Sequence, residues 1–123
     1  MSDVEPVLSK PGEGERFERE NRSVTIRVDR PELSVHEIEF DDTFEVPPHT
    51  HDDQVDGFYV LEGEVEFTAG EEIVVAGPGT LFVAPRGAQH GFRGTSSGRA
   101  RVLNFHTPDA GFADWIRSVS AAD

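Results

Sequence analysis

Short segments in which apolar and polar residues alternate, separated by Gly and Pro, run through most of this sequence and limit what it can fold into. Residues 23–29, SVTIRVD, place three apolar side chains on one face of an extended chain and polar ones on the other. Similar strands are predicted over residues 33–40, 44–46, 58–61, 65–67, 73–75, 80–84 and 99–106. Many short strands punctuated by turn residues predict an all-β fold, either a sandwich or a barrel.

Two stretches depart from this pattern. Residues 91–98, GFRGTSSG, predict a Gly/Ser loop. Near the end of the sequence, apolar residues spaced i, i+3, i+4 and i+7 predict a short amphipathic helix over residues 110–120, with Asp109 as its cap. These residues are Phe112, Trp115, Ile116 and Val119. We expect Trp115 to point inward against the barrel; the alternative is an aromatic gate over a pocket.

The length of 123 residues suits one domain with its own core. Residues 1–15, rich in Pro, Gly and Glu, predict a flexible N-terminal arm. Residues 16–108 then form the barrel, and residues 109–123 form the amphipathic helix and tail.

Charge and composition exclude several classes of function. There are 24 acidic and 11 basic residues, a formal net charge of −13, which disfavours binding to nucleic acid or to an anionic membrane. The absence of cysteine excludes disulfides, iron–sulfur clusters and thiolate zinc sites. No apolar run is long enough to span a membrane and no signal peptide is recognisable, so we expect a cytoplasmic protein.

Three histidines and an aspartate form a candidate metal site. His49 and His51 are two residues apart, so a strand turns both imidazoles to the same face. Asp56 follows, and His90 comes just after a Pro/Gly turn. Three imidazoles and one carboxylate are suitable ligands for a divalent first-row metal. Asp56 can instead be read as a turn residue before Gly57.

The candidate ligands lie in two motifs, each with Gly or Pro residues at defined spacings. Four residues separate His51 from Asp56, and six more separate Asp56 from Gly63. Downstream, Gly79 is followed by five residues, Pro85-x-Gly87, two residues and His90, with Gly94 four positions later.

In both spacings the sequence resembles the cupin family, in particular small single-domain cupins of the cupin 2, quercetinase-like type. The resemblance implies a cupin double-stranded β-helix, that is, a jelly-roll barrel, with a short C-terminal α-helix. It also implies that His49, His51, Asp56 and His90 bind one divalent transition metal (Fe, Mn, Ni or Zn). Two positions depart from the family pattern: Asp56 stands where Glu is usual, and Gly94 stands where Asn is usual.

Candidate pocket residues lie around this site. Gln54 and Asp53 are alternatives for the fourth ligand. Phe58 and Phe92 are aromatic candidates for a pocket wall, although Phe residues more often belong to the core. Asn104 and His106 share a strand face. They are either polar groups lining the lumen or, for His106, a strand-end residue bonded to solvent or to the helix cap. His36 is expected to be structural or exposed.

The functional expectation is a metal-dependent enzyme acting on a small organic molecule, and the quercetinase-like resemblance suggests a dioxygenase. The alternatives are a non-catalytic small-molecule-binding cupin, a metal-dependent isomerase, and a remnant without a ligand. Because a small open barrel has edge strands that invite pairing, we also expect a homodimer.

Overall fold

A computed structural model of the protein describes residues 5–121, which form ten β-strands and one α-helix. The elements are β1 Glu15–Glu18, β2 Arg22–Arg30, β3 Leu33–Phe40, β4 Glu45–His49, β5 Val55–Glu62, β6 Val65–Ala69, β7 Glu72–Ala76, β8 Leu81–Ala84, β9 His90–Gly94, β10 Ala100–Thr107 and α1 Phe112–Ala121. The predicted N-terminal arm lies partly outside the described residues.

The strands form two antiparallel sheets. One has six strands in the order β1-β2-β3-β10-β5-β8, and the other has four in the order β4-β9-β6-β7. Within each sheet, strands that are distant in sequence are neighbours; β10, for example, lies between β3 and β5. This arrangement confirms the predicted all-β jelly roll with one short C-terminal helix.

The core is rich in phenylalanine and receives side chains from both sheets. Phe58 of the six-stranded sheet lies 5.1 Å from Phe92 of the four-stranded sheet, measured between ring centroids. Phe40 lies 5.5 Å from Phe92 in the same way. Phe40, Phe58 and Phe92 are all buried, as expected for core residues.

The prediction of a loop over residues 91–98 is wrong in its first half, because His90–Gly94 is strand β9. The glycines here permit close approach of another chain segment rather than a turn. A Cβ on Gly91 would lie 2.8 Å from the carbonyl oxygen of Val46, and one on Gly94 would lie directly against that of Asp41. Only the following residues, up to Gly98, form the turn.

The C-terminal helix packs on the barrel with a different face from the one expected. Trp115 is 55% exposed, so the expectation that it points inward is wrong. Ala113 and Ile116 are buried instead. The helix also begins at Phe112, two residues later than predicted, and the Asp109 side chain accepts a hydrogen bond from the Gly111 amide just before it (3.1 Å).

The N-terminal segment and α1 meet at one side of the barrel. Strand β1, which the sequence did not reveal, pairs with β2. Arg117 on α1 donates hydrogen bonds to Glu15 of β1 (2.8 Å) and to Asp29 of β2 (3.0 Å). Among residues 5–121, no helix has both the length and the apolar character that crossing a bilayer requires.

Candidate metal centre and its cavity

The four predicted ligand residues come together at one end of the barrel. His49 ends β4 and lies opposite His90, the first residue of β9, in the antiparallel register. His51 is in the loop after β4, and Asp56 is on β5. One ligand atom from each of the four residues lies within 4.8 Å of the others, so the cluster could hold a metal ion.

Backbone carbonyls orient two of the imidazoles. The Nδ1 of His49 lies 2.8 Å from the carbonyl oxygen of Pro47, and the Nδ1 of His90 lies 3.0 Å from that of Ala88. Since a carbonyl only accepts hydrogen bonds, Nδ1 carries the proton in both rings. Each Nε2 is therefore turned toward the cluster, and this is the arrangement in which a neutral histidine binds a metal.

Pro47 and Pro48 are accommodated because β4 is an edge strand, where an unpaired backbone nitrogen costs little. The β4–β9 register shifts between Val46 and His49. That irregularity follows from the two prolines and leads into His49.

Asp56 lies at the centre of the polar contacts. Its Oδ2 is 2.9 Å from the Nε2 of His90 and 3.6 Å from the Nε2 of His51. Its Oδ1 accepts a hydrogen bond from Asn104 (2.7 Å) and is 3.2 Å from the Nε2 of His106. Burial alone would raise the pKa of Asp56, but His106, His90 and Asn104 together hold it well below the usual range, so the carboxylate is ionised.

The imidazoles respond differently to this carboxylate. Burial and the neighbouring His49 lower the pKa of His51. Burial also acts to lower the pKa of His90, but the hydrogen bonds to Asp56 and to the Ala88 carbonyl outweigh it and raise the pKa overall. A cluster of Nε2 atoms beside an ionised carboxylate is a donor set that fits a divalent transition metal.

Three members of the cluster, His49, His51 and Asp56, form part of the wall of a cavity of about 660 Å³, whereas His90 does not line it. Most of the lining is apolar, which is typical of small-molecule sites. The apolar lining residues are Val24, Ile38, Phe44, Val46, Pro47, Phe58, Phe92, Phe112, Trp115 and Ile116. Together with His49, His51 and Asp56, the polar lining residues are Asn104, His106, Asn21, Arg22, Thr43 and Glu45.

The structure brings four of the five candidate pocket residues to this cavity: Phe58, Phe92, Asn104 and His106. Gln54 is buried but does not contribute to its lining. Trp115 and Phe112, with ring centroids 6.0 Å apart, also line it. The alternative reading of Trp115, an aromatic side chain over a pocket, therefore matches its position better than the inward packing that we expected.

His106 is buried, so its interpretation as a strand-end residue bonded to solvent is wrong. His36 is likewise buried, not exposed, and its ring contacts those of His106 and Phe112 at centroid distances of 5.2 and 4.3 Å. Burial, followed by the nearby His106, lowers the pKa of His36 to about 4, so the ring is neutral. Within the described part of the chain, His36 Nε2 and His106 Nδ1 have no hydrogen-bond partner.

Two sheets that enclose a histidine-lined cavity define a barrel protein with a candidate metal site. The sequence matches a family model described as Cupin domain (Cupin_2) over residues 36–106, more than half of the chain, so the protein belongs to the cupin family. This confirms the resemblance seen in the motif spacing. No curated protein matches the chain.

Solved structures share the fold at low sequence identity. KdgF from Halomonas sp. has a TM-score of 0.74 at 23% identity, covering 83% of this chain and 94% of its own. An RmlC-like cupin from Shewanella frigidimarina has a TM-score of 0.74 at 22% identity, covering 84% and 91%. Pac13 of Streptomyces, described as a unique nucleoside dehydratase, has a TM-score of 0.64 at 19% identity, covering 85% and 83%.

Proposed function

We propose that this cupin binds one divalent transition metal through His49, His51, Asp56 and His90 and acts enzymatically on a small organic molecule held in the adjoining cavity. The observation that carries the proposal is the convergence of four ligand atoms within 4.8 Å, three of them from residues that line a largely apolar cavity. Nitrogen and oxygen donors without thiolate suit Fe, Mn, Ni or Zn. When bound, such a metal acts as a Lewis acid that polarises and orients the substrate.

Other residues of the cavity hold the substrate and keep Asp56 in position. The apolar walls formed by Ile38, Phe44 and Phe92 hold the body of the substrate and exclude water from it. Asn104 keeps Asp56 in place, because its amide donates both to Asp56 Oδ1 and to the Gly57 carbonyl (2.9 Å).

The reaction class that these residues favour is proton transfer, as in an isomerase. His106 lines the cavity, and its Nε2 lies 3.2 Å from the ionised Asp56. The ionised carboxylate accepts the proton of His106 Nε2, and such an imidazole–carboxylate pair can act together as general acid or base toward a substrate in the cavity.

Dioxygenation is the second candidate and rests on the quercetinase-like motif spacing. The two candidates differ in what they consume. An oxygenase takes up dioxygen with each turnover, whereas an isomerase does not and instead exchanges a substrate proton with solvent. Oxygen-electrode measurements and deuterium incorporation in D₂O, over one panel of small organic acids and phenols, separate them.

Metal content tests the proposal itself. We expect untagged protein to carry close to one transition-metal ion per chain by mass spectrometry, and His49→Ala to lose it while keeping its circular dichroism spectrum. His36→Gln is the matched control, because His36 is also buried in this end of the barrel but is not in the cluster. Wild-type protein that stays free of metal after exposure to Fe, Mn, Ni and Zn would refute the proposal and favour a non-catalytic binding protein.

We also propose that the protein is a homodimer. Strands β7 and β8 are edge strands of their sheets. They expose the apolar side chains of Ile73, Val75, Leu81 and Val83, which are 67%, 55%, 61% and 44% accessible. In a chain with net charge −13, a largely apolar edge is where a second copy can approach with little repulsion.

A further inference from the structure

One arginine lines the cavity and has no part in the proposed metal chemistry. Arg22, the first residue of β2, places its guanidinium over the ring of Phe44, with Cζ 5.4 Å from the ring centroid. Its Nη1 donates a hydrogen bond to the side chain of Asn21 (3.2 Å), and Asn21 in turn donates to Thr43 (3.2 Å). These contacts position the guanidinium in the cavity wall and do not neutralise its charge.

Arg22 has no carboxylate partner among residues 5–121. Many of the other arginines do have one: Arg16, Arg27, Arg30, Arg93, Arg99, Arg101 and Arg117 all form ion pairs.

Two acidic residues that each line a cavity together with Arg22, namely Asp41 and Glu45, have other neighbours. The Asp41 carboxylate accepts hydrogen bonds from the amide and the hydroxyl of Thr43 (2.8 and 2.6 Å). Glu45 lies opposite Arg93 in the β4–β9 register. In a chain with 24 acidic residues, a guanidinium that lines a largely apolar cavity and forms no ion pair with the described residues is available to the carboxylate of a ligand.

We propose that Arg22 binds the carboxylate of the substrate and that the cavity therefore takes a small organic acid with an apolar body. The planar guanidinium offers paired N–H donors that match the two oxygens of a carboxylate. The aromatic and aliphatic walls, including Ile38, Phe44 and Phe92, match the apolar body. This inference rests on the proposed function for the role of the histidine cluster, but the carboxylate contact itself does not require a metal.

The contact also has an electrostatic reason. A protein with a net charge of −13 repels anions at long range. An acidic substrate therefore needs a local positive charge at its binding site. Arg22 supplies that charge from the cavity wall, whereas Asp56, the buried acid at the site, is already surrounded by His90, His106 and Asn104.

The test compares 4-phenylbutyrate with its neutral isostere 4-phenylbutyramide on protein freed of metal by a chelator. Trp115, the only tryptophan, lines the same cavity, so its fluorescence reports binding without any activity assay. We expect the acid to bind wild type about 10-fold or more tightly than the amide, as is typical of charge-assisted hydrogen bonds. Arg22→Gln should lower the affinity for the acid by about the same factor and leave the affinity for the amide unchanged.

Arg99→Gln is the matched control, because it removes the same charge from an arginine that does not line the cavity. Arg22→Lys should give an intermediate affinity, since it keeps the charge but loses the paired donors. Equal affinity of wild type and Arg22→Gln for the acid, or no saturable fluorescence change with the acid, would overturn the inference. Because the protein is metal-free, these results are independent of the metal-content test of the proposed function.

Discussion

Among single residues, Asp56 determines how the candidate metal centre is arranged. It is shorter than the Glu usual at this motif position, yet its Oδ2 reaches within 2.9 Å of His90 Nε2. Its other oxygen is shared by Asn104 and His106. Asp56 therefore connects the histidines of the metal cluster to Asn104 and His106 on β10.

We expect Asp56→Asn to weaken metal binding by about 10- to 100-fold without abolishing it. The amide removes a negative charge beside the histidines, while the three imidazoles stay in place. Metal titration against a competing chelator measures the change. Asp52→Asn, at an exposed position in the preceding loop, is the control. An unchanged affinity in Asp56→Asn would show that Asp56 takes no part in metal binding.

His36 makes stability depend on pH. Its pKa is about 4 in the folded protein against an ordinary value of 6.5, so below pH 6.5 the unfolded chain binds a proton that the folded protein resists. The free energy of unfolding therefore falls as pH drops from 6.5 toward 4, by a total of about 3 kcal/mol from this residue.

Urea unfolding at several pH values, with wild type beside His36→Gln, measures this dependence. We expect the difference in unfolding free energy between the two proteins to change by that amount across the interval. Subtracting the variant removes contributions from the other titrating groups. Parallel curves for the two proteins would mean that His36 is protonated as easily when folded as when unfolded.

At the scale of elements, β9 shows how a strand can be hidden in a loop-like sequence. Its glycines are required where the neighbouring chain passes close by, and the Asp41 carbonyl lies against the position that a Cβ of Gly94 would take. A sequence contains no direct sign of such a long-range approach, so Gly and Ser favour the local prediction of a loop.

Gly94→Ala should therefore lower the free energy of unfolding by about 1–3 kcal/mol, because a methyl group there overpacks against backbone. Gly77→Ala is the matched control, since no atom lies within 4 Å of its Cβ position. We expect the free energy of unfolding of Gly77→Ala to stay within about 0.5 kcal/mol of that of wild type. Equal urea midpoints for the two variants would show that the backbone near Asp41 gives way at little cost.

How well the elements could be predicted depends on whether the pattern is local. The alternation of apolar and polar residues over residues 33–40 is a local pattern, and it predicted both ends of strand β3 correctly. The helical stripe near Trp115 correctly predicted a helix, but a stripe of apolar residues does not reveal which of them meets the barrel. Ala113, which is not one of the residues that define the stripe, is buried, whereas Trp115 is exposed.

For the whole molecule, the motif spacing was sufficient to place the four residues of the cluster together. The spacing works because each motif spans a strand and its adjoining turn. Arg22 escaped prediction because it comes from β2, far from both motifs, and only the packing of the two sheets brings it to the cavity. Local sequence patterns do not predict which residues of distant strands will line the same cavity.

The assembly state is a property of the whole molecule as well. We expect light scattering to give twice the mass of one chain for wild type and a shift toward the single-chain mass for Leu81→Lys, because the substitution places a charge on the exposed edge formed by β8. Ser96→Lys adds the same charge in an exposed turn outside β7 and β8. A wild-type protein that is monomeric at working concentrations would contradict the homodimer.

The position of β10 between β3 and β5 has a consequence for synthesis. The ribosome delivers β3 and β5 long before β10, yet each must bond to it and not to the other. The six-stranded sheet is therefore incomplete until residue 107 has left the exit tunnel. Until then the nascent chain exposes two strands awaiting the same partner, a state in which chaperone binding would favour correct folding over aggregation.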